Sequence, residues 1–168
     1  EKDLTINAKD ILKKCDFVYL ENYTSYLGFD VKKLEKHIGK SIRLVDRNFV
    51  EIENEIISNA KNKEIAFLVK GDVFSATTHA DLFLRAKQGN IACKILHNSS
   101  IITAVGDCGL SLYKFGKVIS IPFDNDRIDS PYETFLTNKE MHTLFLLDLR
   151  PTENRYMNFK DAINYLLK

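Results

Sequence analysis

Cysteine is scarce in this 168-residue chain, and the three that occur, Cys15, Cys93 and Cys108, are odd in number and show no CxxC spacing. Neither a disulfide framework nor a zinc site is indicated, and a reducing, cytoplasmic setting fits such usage. Charge of one sign is also lacking: 24 Lys and Arg face 23 Asp and Glu, which leaves a net charge of +1. No basic run is interleaved with aromatics, so a nucleic-acid partner is not expected. After the charged Glu1-Lys2-Asp3 comes an amphipathic segment, and no apolar stretch reaches secretory or membrane-spanning length, so no membrane is expected either. His37, His79, His97 and His142 lack metal-ligand spacing such as HExxH, and Ser99 lacks a GxSxG context, so no metal centre or hydrolase is supported. The GxGxxG and GxxxxGK turns of the usual dinucleotide and phosphate cradles are missing too.

What is present is a globular α/β pattern, with 45% hydrophobic residues, enough to bury a core in one domain or one and a fraction. Thr5 is placed to cap a helix carrying Ala8, Ile11 and Leu12, and Phe17 to Leu20 reads as a strand. Glu21 to Gly39 reads as a mobile segment. Ile42 to Val45 is strand-like, and Val50, Ile52, Ile56, Ile57 and Ala60 form one helical face. The charge-free run Ile65 to Val69 reads as a parallel strand buried on both faces, feeding a helix through Leu82, Phe83, Leu84 and Ala86 that stops at Gly89. Ile91 to Leu96 follows as a strand, then a helix through Ile102, Val105 and Leu110. This alternation, four strands deep, predicts a doubly wound sheet with right-handed crossovers. After Gly116 the character changes: Val118 to Ile121 and Thr143 to Leu149 are strand runs separated by polar residues 124–139, and Phe159, Ile163, Tyr165 and Leu166 make the last periodic stretch. A second α/β domain is expected from Tyr113, giving domains 1–112 and 113–168, the latter thin for a core of its own.

Ligands of open α/β sheets sit at the carboxyl ends of the strands, and at the end of Ile65 to Val69 stands Gly71-Asp72-Val73-Phe74-Ser75-Ala76-Thr77-Thr78-His79. Asp72 could accept hydrogen bonds from ribose hydroxyls or set negative charge beside a cationic ligand; equally it could hold the next turn together. Gly71 permits a tight turn or close approach. The next junction, His97-Asn98-Ser99-Ser100-Ile101, offers hydroxyls, with simple helix capping the somewhat stronger reading of its serines. Cys108, beside Gly109, reads as a small buried residue and not as a nucleophile.

Several stretches in register carry a resemblance: Tyr19-Leu20-Glu21-Asn22-Tyr23-Thr24-Ser25, Asp46-Arg47, Gly71 to His79, Leu84-Arg85-Ala86-Lys87 and Ile95 to Ile101. Ala104 to Leu110, Tyr113-Lys114-Phe115-Gly116, Val118 to Phe123 and His142 to Asp148 continue it over most of the chain. In order and wording these resemble the diphthine synthase family. The resemblance implies a two-domain tetrapyrrole methylase-like fold with a parallel-rich first sheet. It also implies an S-adenosylmethionine-dependent methyltransferase, with S-adenosylhomocysteine as product. The implied acceptor is the 3-amino-3-carboxypropyl histidine of translation elongation factor 2 in diphthamide biosynthesis, and the implied assembly is a homodimer. Carried over by position, the cofactor contacts fall on Asp72 and Ser75, Ser100 and Ile101, and Leu147, with Asp72 expected to orient the cofactor and not to relay protons. No catalytic base is named. Members open with an apolar strand and a Gly-Leu-Gly-Leu-Gly turn; this chain starts after that point, so the first domain is expected to lack that strand and the second to be incomplete. A corrin or tetrapyrrole ring methyltransferase and a non-catalytic module binding the elongation factor are the alternatives.

Overall fold

The structure, a computed structural model, describes residues 3–167 and divides into two compact units, 1–99 and 100–168. That division precedes the Tyr113 start expected for the second domain.

In the first unit the elements run α1 (Ile6–Leu12), β1 (Phe17–Glu21), α2 (Val31–Ile38), β2 (Arg43–Val45), α3 (Arg47–Glu51), α4 (Glu55–Ala60), β3 (Ile65–Leu68) and α5 (Ala80–Gln88). Short polar side chains set the helix starts: Thr5 Oγ1 accepts from the Ala8 amide (3.1 Å), Asp30 Oδ1 from Lys32 (2.9 Å) and Asp46 Oδ1 from Phe49 (2.8 Å). The strands form one parallel sheet in the order β2-β1-β3, with Tyr19 opposite both Arg43 and Phe67. Successive strand side chains point to opposite faces. Accordingly Tyr19 packs with Val45, Phe49, Val50 and Ile56, against which Ile65 and Phe67 rest, while Val18 packs with Leu12, Leu34 and Ile38, joined by Ala66 and Leu68. Central β1 is thereby sealed on both faces.

Four expectations are corrected here. Glu21 to Gly39 is not wholly mobile, since it contains α2, closed by Gly39 in the left-handed region at φ 72°. The single helical face from Val50 to Ala60 is two helices, broken at Ile52 to Asn54, with Ile52 exposed. Ile91 to Leu96 forms no strand, and the four residues of β3 are half-buried, not sealed. One cause accounts for both: among the described residues β3 pairs only with β1, and the 91–96 backbone has no strand beside it, so no ladder can form. A cavity of about 1140 Å³ is lined by residues 65–69 together with 91–98.

The second unit comprises α6 (Ile101–Ala104), β4 (Phe115–Ile121), α7 (Ser130–Leu136), β5 (His142–Leu147), β6 (Leu149–Arg150), β7 (Arg155–Tyr156) and α8 (Phe159–Leu166). Strands β4 and β5 are parallel, with Ile121 opposite Leu147, and β6 and β7 make a small antiparallel pair. The unit's core gathers Ile121, Met157, Ala162 and Tyr165, with Phe145 and Leu147 packed against it. Asn158 Oδ1 caps α8 by accepting from Lys160 (2.9 Å) and Asp161 (3.1 Å). The polar segment 124–139 holds a helix, α7, whose first turn contains Pro131. The expected helix through Leu110 is shorter: α6 tightens into a 3₁₀ turn over Val105–Cys108 and ends at Gly109, at φ +84°. Cys108 is exposed on that turn and not buried as expected.

Candidate functional site

Strand β3 delivers the chain into Lys70 and Gly71, and Gly71 stands at φ +92°, a conformation that side chains with a Cβ rarely adopt. Asp72, next in the turn, is buried. Its carboxylate gathers the loop: Oδ1 accepts from the Phe74 amide (3.0 Å) and the Ser75 hydroxyl (3.1 Å). Oδ2 meets His97 Nδ1 (2.7 Å) and the Asn98 amide (3.3 Å). The Phe74 amide does most to hold the Asp72 carboxyl down, to about 2, aided by His97, Asn98 and Ser75 and opposed by burial. Asp72 therefore braces the turn, as the structural reading expects, and sets an ionised carboxylate just beyond the end of β3.

The far end of the same loop is anchored by His79, which is buried with its ring edge-to-face on Tyr23 and Phe67. Neither of its ring nitrogens has a hydrogen-bond partner among the described residues. Burial pushes its imidazole pKa down, against the opposing pull of Glu21 and Glu51. Glu21 closes β1 and is fully buried, accepting from the Tyr23 amide (2.9 Å), the Thr24 amide (2.8 Å) and the Thr24 hydroxyl (2.7 Å). Tyr23 is pushed up to about 12, first by burial and then by Glu51 and Glu21.

Of the five residues singled out by resemblance, the structure brings Asp72 and Ser75 together in the first unit. In the second unit Ser100 and Ile101 are adjacent at the start of α6, and Leu147 is the last residue of β5. Ser100 is buried and caps α6, its Oγ accepting from the Ile102 amide (3.0 Å), as the capping reading expects. Ile101 is half exposed, and Leu147 packs on the core around Ile121. The sequence names His97 within the 97–101 segment but gives it no role of its own; only the fold brings its Nδ1 to 2.7 Å from Asp72 Oδ2. Among the described residues no group of three or more His, Cys, Asp or Glu comes together as a metal site, and no helix is long and apolar enough to cross a membrane.

Residues 1–167 match the family Tetrapyrrole (Corrin/Porphyrin) Methylases. The chain belongs to that family. Within it, this methylase-family chain is 46% identical over 164 residues to the diphthine methyl ester synthase of Kluyveromyces lactis, covering 94% of this chain and 55% of the relative. The Saccharomyces cerevisiae diphthine methyl ester synthase matches at the same 46% and the same coverage. A crystal structure of diphthine synthase superposes with a TM-score of 0.91 at 32% identity, covering 99% of this chain and 66% of that one. The chain thus spans about half the length of the curated relatives it matches. The parallel α/β architecture agrees with the methylase-like fold expected from the sequence.

Proposed function

We propose that this chain is an S-adenosylmethionine-dependent methyltransferase acting on the 3-amino-3-carboxypropyl histidine of translation elongation factor 2 in diphthamide biosynthesis. The observation that carries the reading is the 46% identity to diphthine methyl ester synthases sustained along nearly the whole chain. A homodimer in the cytoplasm, with domains 1–112 and 113–168, belongs to the same reading. The residues present fit the cofactor chemically. An ionised carboxylate at Asp72 suits a sulfonium cation, whereas the Ser75 hydroxyl and the Ser75, Ser99 and Ser100 amides are already bonded within their own loops. Asp72, Ser75, Ser100, Ile101 and Leu147 are the residues that would hold it. When bound, it supplies an electrophilic methyl group.

The chain's own task is then mostly placement. Asp72 shapes the 71–79 loop through its bonds to Phe74 and Ser75, so the loop's free backbone groups are fixed before a ligand arrives. With its hydroxyl spent on Asp72, Ser75 is left to act through its backbone. Calorimetry with S-adenosylhomocysteine tests this half of the proposal. Binding by the chain is expected, weakened by Asp72→Asn, because an amide NH₂ would face the donors that Asp72 now accepts from. A chain that binds no S-adenosylhomocysteine would favour the non-catalytic module instead.

A further inference from the structure

The two oxygens of Asp72 are filled from within their own neighbourhood, Oδ1 by Phe74 and Ser75, Oδ2 by His97 and Asn98. The shortest of these contacts, 2.7 Å, is the one to His97 Nδ1. With its carboxyl held down at about 2, Asp72 is ionised throughout the neutral range and has no proton to give. His97 must therefore donate through Nδ1, which leaves the lone pair of the neutral ring on Nε2. The two side chains are also unequally covered: Asp72 is 10% exposed and His97 66%. Phe74 flanks the imidazole edge-to-face, with ring centroids 6.1 Å apart. Among the described residues Asp72 is the only charged side chain bonded to His97. A buried carboxylate thus fixes the tautomer of an exposed imidazole whose second nitrogen has no hydrogen-bond partner among the described residues, which is the arrangement of a working acid–base pair.

We infer that His97, oriented by Asp72, is the proton acceptor that prepares the amine for methyl transfer, an assignment that rests on the methyltransferase reading above. The acceptor arrives as an ammonium. Its N–H proton passes to Nε2 of His97, and the bonding pair stays on nitrogen. The neutral nitrogen then bonds the methyl carbon as the carbon–sulfur bond breaks, with that electron pair remaining on sulfur. The imidazolium returns its proton to water, and the neutral ring, held by Asp72 through Nδ1, is ready for another round on the same nitrogen. His97 is the catalytic residue of this scheme and Asp72 its positioning residue.

The test is the pH profile of single-turnover methyl transfer at saturating cofactor, for wild type and His97→Gln, alongside S-adenosylhomocysteine affinity and ¹⁵N NMR of the imidazoles in the ligand-free chain. His97→Gln is expected to slow transfer about 100-fold and to erase the acid limb of the profile. Its S-adenosylhomocysteine affinity should stay within about twofold of wild type. A variant within about threefold of the wild-type rate, with affinity lost instead, would overturn the assignment and leave His97 a brace of the loop. Should the variant fail to fold, the NMR arm decides on wild type: an Nδ1–H tautomer that titrates at Nε2 supports the pair, and an Nε2–H tautomer sinks it. If wild type moves no methyl group, the methyltransferase reading fails and takes this role with it, while an Nδ1–H tautomer would still mark that failure as one of substrate and not of the Asp72–His97 geometry.

Discussion

At the residue scale, His79 carries the clearest pH signature. Burial favours its neutral form over the pull of Glu21 and Glu51, and Arg47 adds to that preference. A histidine pKa lowered by folding contributes stability that is fully present above the unfolded value, about 6.5, and that is lost as the pH falls below it. The urea midpoint should therefore drop more between about pH 7 and pH 5 in wild type than in His79→Phe, which keeps the ring against Tyr23 and Phe67 and cannot charge. Equal drops would contradict the burial of this ring. Asp72→Asn acts by a different route, setting amide hydrogens against amide and imidazole donors, and should cost about 1–3 kcal/mol in chemical denaturation. Asp72 stood out in the sequence as a carboxylate after a glycine at a strand end, with bracing of the next turn as the competing reading, and its bonds to Phe74 and Ser75 bear that bracing out. Its bond to His97 was not legible there, because the two positions are 25 residues apart and only the fold brings them together.

At the element scale, the open side of β3 has a direct consequence. Among the described residues the amides of 92–96 have no strand to bond, whereas those of β1 lie between two parallel neighbours. Hydrogen exchange should be fast across 92–96 and slow across β1, and comparable protection in the two would refute the absence of pairing. The sequence marked 91–96 as a strand correctly in composition; what it could not supply is the neighbour that turns an extended apolar segment into a ladder. In contrast α1, β1 and α5 were readable, since local signals such as the Thr5 cap and the change of period after Leu12 agree with the tertiary packing. The missed helix α2 had its signals in view, Asp30 at its start, Gly39 at its end and Val31, Leu34 and Ile38 at helical spacing between them. The break between α3 and α4 was hidden because Ile52 fits the apolar period while pointing to solvent.

At the scale of the whole molecule, each unit buries its own apolar clusters around its own parallel strands. Within the first unit, the Asp72 loop and the residues from His97 onward are drawn to the carboxyl ends of that sheet, the position that open α/β sheets use for ligands. The near-neutral charge argues only against a nucleic-acid partner, and the fold alone would suit many chemistries. The residue-level likeness to diphthine methyl ester synthases is what narrows them. That reading is tested most directly by incubating the chain with S-adenosylmethionine and elongation factor 2, with and without its histidine carrying the 3-amino-3-carboxypropyl group, and weighing the factor by intact-mass spectrometry. The account predicts mass gained in whole methyl groups on the modified factor only. An unchanged mass, or equal gain on the unmodified factor, would contradict it.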